Sequence, residues 1–367
     1  MNHSNTIRAL RNPRSLAALI AAVLVVVPGG VRTTAARDAN RPYWMLVTFA
    51  AKGTGEEMAV VRDTDYDGMA LPLGTAYDKG PGPSTEAVVA RFTPLRDAAH
   101  KEIWPWVFVN RVPGLDVAPS SPARQPLLGD WRAALAAARR LGSPGVVLDL
   151  EFYSSPQVAW AMSKYAAMVN APAPEAARRL ENLGHELADI VAEEYPNAQI
   201  LVFTTGLAFP NDERIGDRVY LQPRGHIVLG LLEELKRRGT SGFVIDGGED
   251  GLAYCHVNLA DLRAAMQKRQ EKEQPLLTRF NGYLVLGGTI APWSEASARK
   301  GWLNQDVCAA GQAQHAEDFA PYLQLLDATY RFNWIYAAPI GGYQPFDPQV
   351  STRFNAVLHT GRGQRPQ

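Results

Sequence analysis

Cysteine is nearly absent from this 367-residue chain, which has two. That excludes a disulfide-stapled scaffold and a thiolate zinc cluster. Net charge is absent too: 37 Lys and Arg balance 37 Asp and Glu, with no basic block. A nucleic-acid partner would leave such a footprint, so that class is excluded. Beyond Val27 no apolar run approaches the ~20 residues that a membrane span requires. No G-x-S-x-G elbow, H-x-H pair or H-E-x-x-H helix occurs, so serine-hydrolase and zinc-peptidase chemistry find no anchor. The remaining composition, 46% hydrophobic and 20% charged, is that of a chain able to build a core.

The first 36 residues contain Arg8, Arg11, Arg14 and Arg32, no acid, an apolar run from Ser15 to Val27, and small residues ending at Ala36. These are the parts of a secretory signal, so the expectation is a signal peptide over residues 1–36 and a secreted or periplasmic mature protein over 37–367. Without those arginines the chain carries 33 basic and 37 acidic residues, a net charge of −4. Nothing else is expected at the membrane.

From Pro42 onward, short runs rich in Val, Ile, Phe, Tyr and Trp alternate with segments of helical period. Eight such runs stand out: 43–50, 67–72, 103–110, 145–152, 199–206, 242–248, 282–288 and 333–339. Helical candidates between them cover 129–142, 175–195, 227–239, 258–274 and 316–331. Eight βα repeats predict an α/β fold, a single (β/α)8 TIM barrel forming one catalytic domain. An open doubly wound sheet would carry a Gly-rich phosphate loop after its first strand. Gly53 and Gly55 are only part of one. In a barrel the chemistry lies at the C-terminal ends of the strands.

Side chains in a strand alternate, so Val147, Asp149 and Glu151 share a face that points into the barrel mouth. Two carboxylates at the end of an apolar strand suit acid–base work, because proximity raises the pKa of one and leaves the other ionised. The segment GVVLDLEFY, Gly145–Tyr153, resembles the fourth-strand signature of chitinase-like family 18 glycoside hydrolases. That resemblance implies Glu151 as proton donor and Asp149 as its neighbouring carboxylate. Val147 stands where the signature has an earlier acid.

Glycoside hydrolysis uses two carboxyl groups, close together for retention and about 6.5–9.5 Å apart for inversion. Asp246, ending the sixth strand in DGGEDG, is the expected base or nucleophile. Glu249 and Asp250 are expected on the rim as substrate-binding groups, with Asn110, Arg111 and Tyr336 from other strand ends. Sugars stack on aromatic rings, and Trp293, Trp302 and Tyr343 fall in top-face loops. Trp104, Trp106 and Trp334 lie early or mid-strand and read as core. Cys255 and Cys308 follow the sixth and seventh strands, where a bridge between neighbouring loops is expected. The reading is a secreted glycoside hydrolase that acts on a carbohydrate without metal or other cofactor. Two alternatives stand beside it. One is a non-catalytic glycan-binding barrel, motivated by Val147. The other is a metal-dependent hydrolase with Asp149, Glu151, Asp246 and Glu249 as oxygen ligands.

Overall fold

The computed structural model describes residues 41–48, 54–74, 82–109, 121, 124–151, 160–207, 213–252, 256, 258–290, 319–337, 346 and 348–363. The leader, Asn110, Arg111, Tyr153, Trp293, Trp302, Tyr343, Cys255 and Cys308 lie outside them.

Eleven strands are described: β1 (Tyr43–Thr48), β2 (Gly68–Pro72), β3 (Glu102–Phe108), β4 (Gly145–Asp149), β5 (Gln199–Val202), β6 (Glu213–Ile215), β7 (Arg218–Tyr220), β8 (Phe243–Asp246), β9 (Leu284–Leu286), β10 (Gly288–Ile290) and β11 (Phe332–Ala337). Nine form one sheet in the order β10-β11-β1-β2-β3-β4-β5-β8-β9. Every neighbouring pair in it is parallel. β9 and β10 are two halves of one strand bent at Gly287; the first pairs with β8 and the second with β11. The bend completes the ring, and the fold is a single (β/α)8 TIM barrel, as the eight apolar runs predict. Only the antiparallel β6–β7 hairpin stands apart from it among the described strands.

Local chemistry sets the helices between the strands. Thr54 and Glu57 form a capping box at the start of Gly55–Arg62. Ser84 and Asn258 cap Thr85–Ala99 and Leu259–Arg279 through their side chains. Pro223 opens Pro223–Arg238, and Gly239, left-handed at φ 64°, closes it behind three basic residues.

Alternation along the strands sorts two apolar layers. Leu46, Leu71, Val146, Leu148, Leu150, Ile200, Val202 and Val244 pack outward with the helices. Met45, Val47, Ala70, Trp106, Phe108, Val147, Leu201, Ile245 and Trp334 fill the lumen. Low in the lumen Tyr43 stacks on Phe332 at 5.0 Å, and its hydroxyl accepts from the Trp104 indole and donates to Glu102. Higher up, Trp106, Phe108, Phe203 and Trp334 interlock at centroid distances of 4.4–5.2 Å. Such pairs contribute about 0.5–1.5 kcal/mol each beyond burial. They form a rigid aromatic floor beneath the mouth.

Candidate active site

Asp149 ends β4 on the same face as Val147, opposite Phe108. Its side chain is 0% exposed, and its Oδ1 accepts the backbone N–H of Glu151 at 2.9 Å. The Trp106 indole on the neighbouring strand favours the ionised form of the carboxyl. Burial raises the Asp149 pKa; the Glu151 amide, Trp106 and the Arg224 charge pull it back, leaving it at about 7. The turn that satisfies Asp149 carries Glu151 out of the strand. Burial raises the Glu151 carboxyl well above its ordinary range, and the charges of Glu249 and Asp149 raise it further, against the opposing pull of Arg224.

The same charges reach Tyr336 at the top of β11. Burial, then Glu249, Glu151 and Asp149, hold its hydroxyl protonated far above the usual phenol range. Two carboxyls from the fourth strand, one from the turn after the sixth, and a phenol from the eighth therefore lie within electrostatic reach of one another.

The turn that supplies Glu249 is fixed from several sides. Gly247 donates to Val202 O at 2.7 Å and accepts from the Trp334 indole at 2.8 Å. Gly248, at φ 84°, donates to Asp246 Oδ1 at 2.9 Å, and the Glu249 N–H donates to Phe203 O at 3.1 Å. A Cβ on Gly248 would lie 2.6 Å from Arg269 Nη1, and one on Gly247 2.9 Å from Val202 O. Both glycines are thus required sterically, and Gly248 also by its backbone angle.

Two expectations are corrected here. Asp246 shares the outward face of Val244 and does not look into the mouth. Its Oδ2 accepts from Thr205 Oγ1 at 2.8 Å and its Oδ1 lies 3.1 Å from Arg269 Nη2, on the helix outside the barrel. Arg269 in turn pairs with Glu273 at 3.0 Å. Burial works against the Arg269 charge, but Asp246 and Glu273 outweigh it and raise its pKa. Asp246 therefore organises the turn from behind. Asp250 is not a rim group either: Oδ1 accepts from Arg224 at 2.7 Å and Oδ2 from the Gly206 N–H at 2.8 Å. Burial raises its pKa and Arg224 opposes the rise.

Arg224 has no part in the sequence reading, yet it joins the site together. Its guanidinium, 1% exposed, bonds Asp250, bonds Gln222 at 3.0 Å, and lies 4.1 Å above the Trp160 ring. The signal for it is Pro223, a helix-opening residue. The apolar period places the start at Ile227 and leaves the first turn unread. Trp106 is core, as the sequence predicts. Among the described residues no group of three or more His, Cys, Asp or Glu is arranged to hold a metal ion.

No protein-family model matches the chain, and no curated protein does. Among solved structures, a GH5-4 broad-specificity endoglucanase from an uncultured bacterium aligns at 12% identity and a TM-score of 0.45, over 83% of this chain and 85% of that one. A glycoside hydrolase 5 lichenase from Caldicellulosiruptor sp. F32, in complex with cellotetraose, aligns at 10% and 0.47, over 83% and 84%. Endonuclease IV from Thermus thermophilus aligns at 14% and 0.46, over 87% and 99%. Two are family 5 glycoside hydrolases and the third is a nuclease, and likeness at this level shows the fold without choosing between those chemistries.

Proposed function

We propose that the protein hydrolyses a glycosidic bond, with Glu151 as general acid and Glu249 as the second carboxylate. The observation that carries this reading is the pairing itself. Glu151 sits at the mouth of a barrel where burial and the charge of Glu249 keep a proton on it. The proton passes from Glu151 to the glycosidic oxygen as the bond from that oxygen to the anomeric carbon breaks. Glu249 either attacks the anomeric carbon or takes the proton of the water that does. Asp149 holds the Glu151 backbone and sets its electrostatic surroundings. Tyr336 stays neutral and offers a hydroxyl donor beside the pair. The substrate is a carbohydrate reached outside the cytoplasm, in keeping with the leader.

Reducing-end release from a panel of soluble polysaccharides tests the reading. Wild type is expected to release reducing ends from at least one member, and Glu151→Gln and Glu249→Gln each to lower kcat/KM at least ~100-fold. Release from no member overturns hydrolysis. Glycan binding without turnover identifies a glycan-binding barrel. Full activity in either variant overturns the two-carboxylate assignment.

A further inference from the structure

Trp160 is 40% exposed, and among the described residues only Val219 is a more exposed large apolar side chain. Its surroundings are unusually rigid for a surface ring. The Arg224 guanidinium lies against the ring at 4.1 Å, and that guanidinium is locked by Asp250 at 2.7 Å and Gln222 at 3.0 Å. The chain just after it is held as well: Ala161 O accepts from Tyr165 N at 3.1 Å, and Ser163 N donates to Glu213 Oε2 on the β6–β7 hairpin at 2.8 Å. The guanidinium behind Trp160 is also the one whose charge acts on Asp149 and Glu151. The ring thus stands one side chain away from the acids, with its plane fixed.

We propose that Trp160, backed by Arg224, is the stacking platform for a pyranose ring of the substrate next to the acid cluster. A pyranose presents a face of C–H groups that packs on an aromatic surface, while its hydroxyls point outward to polar partners. A ring already fixed in plane loses little freedom when a sugar lands on it, so its contribution to affinity is not spent on ordering the side chain. This rests on the glycoside reading above, but its test reads binding and not turnover.

The whole protein is applied to an array of neutral and acidic oligosaccharides, and the one giving the strongest signal is titrated calorimetrically. Trp160→Ala is expected to weaken that affinity about tenfold. Trp160→Phe, which keeps an aromatic face, should stay within about threefold of wild type. Both should melt near the wild-type temperature, because the side chain lies at the surface. Equal affinity of wild type and Trp160→Ala overturns the platform even if the enzyme hydrolyses glycans. Loss of affinity in Trp160→Ala supports it even if no turnover is found, in which case the hydrolytic reading alone falls. Failure of wild type to bind any glycan overturns the platform.

Discussion

A carboxyl group shut away from water keeps its proton well past the pH at which a free one loses it, and Asp149, whose burial outweighs the donors that favour its ionised form, is such a group. Its ordinary value of 3.8 becomes about 7 in the fold. Below about pH 4 both folded and unfolded chains hold the proton and the group leaves stability unaffected. Between about pH 4 and 7 the unfolded chain releases the proton first, so stability falls as pH rises, by about 4 kcal/mol once both forms are ionised. Asp149→Asn cannot ionise. Denaturant unfolding from about pH 4 to 8 should therefore show wild type losing stability relative to the Asn variant across that window. A difference independent of pH would mean that Asp149 is not protonated in the fold. Glu151 is displaced in the same direction, and in the proposed reaction it is the residue whose proton is used.

At the scale of elements, the turn Gly247–Asp250 determines where the second carboxylate points. Gly248→Ala forces a side chain onto a φ of 84° and against Arg269. It is expected to lower stability by about 1–3 kcal/mol and to depress kcat more than KM, read from chemical denaturation and steady-state kinetics. Unchanged kcat would show that the turn does not position Glu249. Arg269→Met strands Asp246 and Glu273 without their buried cation, and a loss of about 3–5 kcal/mol in the same unfolding assay is expected. An unchanged midpoint would contradict that role. These elements also show what could be read in the sequence. Period-two alternation through Val147 and Asp149 was legible because a strand with one face in the lumen fixes parity for each of its residues. Past the strand end that rule lapses. Asp246, still within β8, keeps the outward parity of Val244, while Glu249 is placed by the Gly247–Gly248 turn, through backbone angles that spacing does not encode. Arg224 and Trp160 reach the site from outside the strands, where the period-two rule does not apply. The β6–β7 hairpin was missed because three-residue strands are too short to show an alternation.

For the whole molecule, ring closure makes the site possible. Strands four, six and eight bring Glu151, Glu249 and Tyr336 within electrostatic reach of one another in a ring that β9 and β10 close by joining β8 to β11. The aromatic floor of Trp106, Phe108, Phe203 and Trp334 then closes the lumen beneath the mouth. The leader is a separate matter: expressed in a host with a secretory pathway, the exported protein should begin close after Ala36 by intact mass. An exported chain that retains residues 1–36 would contradict a cleaved signal. The division of labour between the two carboxylates is tested most directly by a glycoside whose leaving group needs no proton. On a 2,4-dinitrophenyl glycoside of the preferred sugar, Glu151→Gln should keep the cleavage rate within about tenfold of wild type, while Glu249→Gln loses at least ~100-fold. If Glu151→Gln is as impaired on the activated glycoside as on the natural polysaccharide, Glu151 is not the proton donor.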